Sequence, residues 1–200
     1  MNHLESVLRS AVRDLEASGA RFALVGGLAV SARAEPRFTR DVDLAIAVPG
    51  DAAAEALVAG LRTRGYVPVA SVEQEAVGRP AQVRLAPGGE PEGGAIVDLR
   101  FASSGIEQEI VDAAVSLEIL PGLRVPVATM GHLLAVKVLA RDDRTRPQDR
   151  VDLLALLRRA GPGDVDLAEK GISLIQQRGY ARGRRLMEEF ASLRREPGSP

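Results

Sequence analysis

Apolar and polar positions alternate with several different rhythms along the 200-residue chain, and each rhythm predicts an element. Leu4, Val7, Leu8, Ala11, Val12 and Leu15 recur at helical spacing, so residues 3–18 read as an amphipathic helix ended near Gly19. Arg21–Val25 is a short apolar strand, and Gly26-Gly27 opens a second helix that runs to about Ala34, before Pro36. Asp41–Val48 is the next strand, followed by a helix over Ala52–Arg64 that Gly65 closes. Tyr66–Val72, Gln82–Leu85 and Ala95–Phe101 read as strands, with a Gly/Pro-rich turn or flexible loop over Ala86–Gly94. A helix over Gly105–Ala114 and two short strands, Val115–Ile119 and Leu123–Val127, complete this part.

From Thr129 the strand signals stop. Helices are expected at 129–141, 148–160, 165–177 and 183–195. The expected organisation is therefore an α/β (α+β) core over 1–128 with a short, mixed, twisted sheet, then a C-terminal helical region over 129–196, then a disordered tail over 197–200. No internal repeat interrupts this order.

Composition narrows the chemistry. Apolar residues are 46% of the chain, but aromatics are 3% and tryptophan is absent, so the core is built from Leu, Val, Ile and Ala. Cysteine is absent, which excludes disulfides and thiolate metal sites. No signal-peptide pattern opens the chain and no apolar run suits a membrane span, so a cytoplasmic location is the expectation. Net charge is -1, yet it is unevenly placed: residues 51–120 hold 11 acids and 5 bases, residues 137–195 hold 14 bases and 9 acids. A basic C-terminal third suits a polyanion, and equally suits arginines on solvated helix faces.

The chemistry concentrates in FALVGGLAVSARAEPRFTRDVDLAIAV, residues 22–48. Side chains two apart on a strand share a face, so Asp41 and Asp43 project together while Val42 and Leu44 face apolar packing. Two such carboxylates repel by a few kcal/mol at an effective dielectric of about 20, which calls for a proton, an arginine or a divalent cation. Arg37 and Arg40 are the nearby candidate counter-ions. A third acid, Asp98, is embedded in the apolar strand GAIVDLRF. Three carboxylates on one sheet face would supply the hard oxygen ligands that a pair of Mg²⁺ ions about 3.5–4 Å apart requires. Gly26 and Gly27, between a strand and a helix start, would let backbone N–H groups approach phosphates.

This order resembles the DNA polymerase β-like nucleotidyltransferase superfamily: Val25-Gly26-Gly27, then Asp41-Val42-Asp43, then Asp98. Leu28 departs from the serine or other small residue that many members carry after the glycines, and Ser31 is a candidate substitute hydroxyl. ARAEPRFTRDVDLAI and HLLAVKVLARDDRTRPQDRVDLLALL are similar, more narrowly, to the AbiEii/AbiGii toxin family, which includes the MenT-type toxins; the likeness covers roughly residues 20–160.

The resemblance implies a Mg²⁺-dependent enzyme that moves a nucleoside monophosphate from an NTP to an acceptor hydroxyl. It implies that Asp41, Asp43 and Asp98 bind two metal ions, with Asp98 also taking the acceptor proton. Gly26 and Gly27 would cradle the phosphates, and Arg37, Thr39 and Lys137 would neutralise charge. Lys137 would be the triphosphate-contacting lysine, partnered by Asp149 or Asp152, with Asp149 favoured. A tRNA 3′ end is the implied acceptor and a cognate antitoxin the implied partner. A small-molecule acceptor, as in aminoglycoside nucleotidyltransferases, and a catalytically silent binding module are the alternatives. His3, His132, Tyr66 and Tyr180 read as structural residues, and Asp142-Asp143 as solvated charge.

Overall fold

The computed structural model describes residues 3–74, 79–88 and 94–196. The chain begins with α1 (His3–Ala17), β1 (Arg21–Leu24), α2 (Gly26–Arg33), β2 (Val42–Ala47) and α3 (Asp51–Thr63). It continues with β3 (Val67–Gln74), β4 (Arg79–Ala86), β5 (Val97–Arg100), α4 (Glu107–Asp112), β6 (Val115–Leu120) and β7 (Leu123–Val127). Four helices follow: α5 (Met130–Ala140), α6 (Pro147–Leu157), α7 (Pro162–Gln177) and α8 (Leu186–Leu193). Each is within a few residues of its sequence expectation. The loop expected over Ala86–Gly94 falls partly, and the tail over 197–200 wholly, outside the described residues.

The described strands form one seven-stranded mixed sheet in the order β3-β4-β5-β2-β1-β7-β6. β2–β5 and β1–β7 pair parallel; the other neighbours pair antiparallel. The central strands β1, β2 and β5 are almost wholly buried, which their near-continuous apolar sequence requires. Asp43 and Asp98 are the two carboxylates buried within them. Unpaired acids are rare in such places, so these two sit there for a reason.

α1 packs on β1 and β2 through Val7, Leu8, Ala11, Val12 and Leu15. α4 packs on β1 and β2, α2 on β2, and α3 on β4. α5 is apolar nearly all round and sits against α2, α6, α7 and α8. Burying a Leu or Val side chain contributes about 1.5–3 kcal/mol, and Leu133, Leu134, Val138 and Leu139 are all buried, so α5 is a principal support of the helical part. Its start is fixed by the Thr129 hydroxyl, which accepts from the His132 backbone N–H at 3.4 Å. Pro147 and Pro162 open α6 and α7, where a missing N–H costs no helix bond. One apolar core runs continuously from Val7 of α1 to Leu193 of α8.

The structural readings of the histidines and tyrosines hold. His3 Nε2 accepts from the Ala95 backbone N–H at 3.1 Å, and buried His132 sits 2.9 Å from the Thr129 hydroxyl. Tyr66 is buried and its hydroxyl donates to Asp14 at 2.9 Å. Tyr180 is buried with its ring against Gly105.

Candidate active site

Strand register brings the acids together. β5 lies parallel beside β2 with Asp43 opposite Asp98, and β4 lies on the far side of β5 with Arg84 opposite Asp98. Paired residues share a face, so Arg84, Asp98 and Asp43 form one row across three strands. Arg100 belongs to the next row of that face, opposite Gln82 and Ala45. Asp41 precedes β2 and reaches the same group: Arg84 spans it and Asp98, at 3.1 and 2.9 Å. Arg100 donates to Asp43.

The counter-ions of the acids are thus Arg84 and Arg100, not the sequence-adjacent Arg37 and Arg40. Arg37 turns the other way, with Nε 2.9 Å from Asp152 and Nη1 donating to the Phe38 carbonyl at 2.8 Å. Arg40 lies over the Phe38 ring at 5.6 Å. The missed signal was parity: Arg84 and Arg100 each stand two residues from a site-facing residue, but using it needs the strand order.

The two central acids are pushed apart electrostatically. Burial would raise the Asp43 pKa, but the charge and hydrogen bond of Arg100, with help from Lys137 and Arg146, outweigh it and hold Asp43 below its ordinary value. Burial and then the neighbouring Asp43 charge raise Asp98 despite Arg84. Two carboxylates with oppositely shifted pKa values are the usual basis for dividing charge-holding from proton-taking roles.

The glycines have a steric reason. Gly26 adopts φ +61°, and a Cβ there would stand 1.9 Å from Asp43 Oδ2. A Cβ on Gly27 would stand 2.5 Å from Arg37 Nη2 and 2.7 Å from Thr39 Oγ1. Only glycine lets the start of α2 close on these side chains. Ser31 is engaged elsewhere: its hydroxyl accepts from the Arg37 backbone N–H at 3.2 Å.

A second ion cluster stands on the helices. Lys137 of α5 lies 2.8 Å from Asp149 and 2.7 Å from Asp152 of α6, all three buried, so both candidate aspartates partner the lysine. Arg146 adds a contact to Asp149 at 3.0 Å. Lys137, Arg146, Asp149 and the acids of the sheet line one cavity of about 690 Å³, together with Gly26, Gly27, Arg37 and Thr39. The cavity thus brings together Gly26, Gly27, Arg37, Thr39, Asp41, Asp43, Asp98, Lys137 and Asp149, but not Ser31, Arg40 or Asp152. The buried Nε atoms of Arg37 and Arg100 have no hydrogen-bond acceptor in good geometry among the described residues.

Carboxylate oxygens on adjacent strands are the right donors for a hard divalent cation. As they stand, no three acids among the described residues are grouped closely enough to hold one, and the guanidinium groups of Arg84 and Arg100 lie among those of the sheet. The donor set fits the ion in kind, and the arginines compete for it.

A mixed sheet whose central strands carry paired acids beside a glycine-opened helix is the fold of nucleotidyltransferases. An antigenic nucleotidyltransferase-like protein from Paracoccidioides brasiliensis superimposes with a TM-score of 0.52 at 19% identity, over 96% of this chain and 91% of that one. The antibiotic-resistance factor ANT(2'')-Ia matches with a TM-score of 0.49 at 16% identity, over 94% and 90% of the two chains. Among curated protein sequences none matches the chain significantly. The chain belongs to the family described as nucleotidyl transferase AbiEii toxin, type IV toxin–antitoxin system, whose model matches residues 9–199. It is therefore an enzyme of the nucleotidyltransferase class. No helix among the described residues is long and apolar enough to cross a membrane.

Proposed function

We propose that the protein transfers a nucleoside monophosphate from an NTP to an acceptor hydroxyl on RNA, at a tRNA 3′ end, as the toxin of a pair with a protein antitoxin. The observation that carries the reading is the register pairing of Asp43 with Asp98, with Asp41 beside them, in a cavity that Lys137 also lines. Mg²⁺, held by Asp41, Asp43 and Asp98 as one or two ions, supplies neutralisation of the phosphoryl oxygens and of the departing pyrophosphate.

The chain's own residues do the rest. Asp98, opposite Asp43 and on the cavity lining, accepts the proton of the attacking hydroxyl. The acceptor oxygen bonds to the α-phosphorus as its bond to the pyrophosphate oxygen breaks. Lys137, Arg37 and Thr39 hold the triphosphate, and the N-terminus of α2 at Gly26-Gly27 offers backbone N–H groups to it. Asp149 and Asp152 hold Lys137 in place. Arginines such as Arg146 stand among the carboxylates of the cavity lining and would meet the phosphates of an RNA acceptor.

The test offers the wild type each of four α-labelled NTPs with Mg²⁺ and total tRNA, beside an Asp41→Ala, Asp43→Ala control. Label entering RNA with the wild type alone supports the reading. No transfer to any RNA, together with no calorimetric binding of Mg–NTP, would overturn it.

A further inference from the structure

The connection between α7 and α8 carries an arginine to which the chemistry above gives no defined task. Arg182 lies against the same cavity as the carboxylates, although it comes from the far end of the chain. Its backbone has φ +55°, the one non-glycine residue in the left-handed region among those described. A side chain there is strained, and Gly179 and Gly183 beside it occupy the same region without strain. An arginine therefore stands where glycine would be the easier residue.

The surroundings hold that conformation from both sides. Arg178 grips Glu109 with contacts of 2.6 and 3.1 Å, and the Tyr180 ring lies where a Cβ on Gly105 would stand 2.5 Å from it. Beyond residue 182, Arg184 donates to the carbonyls of Val138, Leu139 and Arg141 at the end of α5, at 3.1, 2.9 and 3.1 Å. The segment is a strap tied at both ends with Arg182 between the ties.

The charge environment is one-sided. Among the described residues no carboxylate lies within ion-pair distance of Arg182, and its one recorded acceptor is the Ser103 carbonyl, 3.5 Å away. Partial burial, then the like charges of Arg184, Arg100 and Arg146, hold its pKa below the ordinary value. A cation kept among cations, on strained backbone, against a cavity, is arranged for an anion that arrives from outside.

We propose that Arg182 is a phosphate-binding residue, and that the α7–α8 strap completes the cavity for a phosphate oxyanion carried by the nucleotide or by the acceptor strand. This rests on the nucleotide-transfer reading of the same cavity and assigns the C-terminal region a part in substrate binding.

The test compares wild type with Arg182→Gly, which removes the guanidinium and relieves the backbone. Arg185→Met is the control, because Arg185 is exposed, pairs with Glu188 and does not line the cavity. Inorganic tripolyphosphate and total tRNA are titrated separately at two salt concentrations, and thermal melts are recorded. The expected result is an Arg182→Gly variant that melts no lower than wild type yet binds at least one probe about tenfold more weakly. Loss confined to tripolyphosphate assigns the phosphate to the nucleotide. Loss confined to tRNA, with a salt slope shallower by about one, assigns it to the acceptor. Unchanged binding of both probes by Arg182→Gly, or an equal loss in Arg185→Met, overturns the inference while leaving the nucleotide-transfer reading intact. Wild-type protein that binds neither probe nor any Mg–NTP removes the underlying reading itself.

Discussion

Asp41, Asp43 and Asp98 meet Arg84 and Arg100 on the sheet, while Lys137 meets Asp149 and Asp152 between two helices, and all of these but Asp152 line one cavity. They use similar charges differently. On the sheet, Asp41 and Arg84 keep 37% and 38% of their side-chain surface in water, while Asp43 and Asp98 beside them are buried. Between the helices, Lys137, Asp149 and Asp152 keep 7%, 3% and 1%. An ion pair open to water costs little to exchange, so its arginine can give way to an arriving cation. A closed pair cannot be opened without stranding a buried charge. The sheet cluster, open at Asp41 and Arg84, is suited to loading and reaction; the closed one fixes α5 against α6 and keeps Lys137 aimed.

That contrast is broken most severely by removing the acids of the open cluster. The Asp41→Asn, Asp43→Asn double variant is expected to lose at least about 10³-fold in nucleotide transfer, read by label incorporation. The same variant also strands Arg100, so its folding is checked by circular dichroism.

Next comes the closed cluster. Lys137→Met leaves buried Asp149 and Asp152 with Arg146 and Arg37 as their cationic partners, and a loss of about 1.5–3 kcal/mol in urea unfolding is expected. A loss under about 1 kcal/mol, the scale of an exposed pair, would erase the distinction between the clusters.

Gly26→Ala tests the link between α2 and the open cluster. Left-handed backbone alone costs an alanine about 1–2 kcal/mol, and its Cβ must displace Asp43. Lower stability with weakened cation binding is expected, whereas an alanine variant indistinguishable in both would show that the close approach is unimportant.

Arg84→Met sharpens the comparison from the opposite side. Freed of its guanidinium competitor, the site is expected to bind Mn²⁺ about tenfold more tightly in calorimetry, and unchanged affinity would mean that Arg84 does not compete.

The smallest effect is on pH. Burial lowers the His132 pKa, so the folded protein resists a proton that the unfolded chain accepts. Stability is then lost progressively as pH falls below about 6.5, the unfolded value. A His132→Gln variant should show a flatter melting profile between pH 7 and pH 5.5.

The two clusters were unequally legible in the sequence. Asp41, Asp43 and Asp98 stood out because acids inside apolar strands are anomalous at sight, and the elements carrying them followed from simple periodicity. Arg84 and Arg100 did not, because an arginine alternating with apolar residues, as in Gln82-Val83-Arg84-Leu85, looks like the solvent face of a strand. Only the insertion of β5 between β2 and β4 makes that face the site, and strand order is a long-range property that no local pattern carries. Lys137 was visible as a cation on an apolar helix. Its double partnership was not, since Asp149 and Asp152, one turn apart on α6, both reach it only through the packing of α5 against α6. Arg182 was one arginine among several in RGYARGRR, and what distinguishes it is a backbone angle and a cavity.

The most direct measurement is a Mn²⁺ titration, followed by electron paramagnetic resonance, of wild type, Asp41→Asn, Asp43→Asn and Asp149→Asn proteins, each shown to be folded. The account predicts saturable binding by wild type and Asp149→Asn, and its loss in the double variant. Equal binding by all three proteins, or none by wild type even with NTP present, would contradict the claim that the open cluster on the sheet is the cation site.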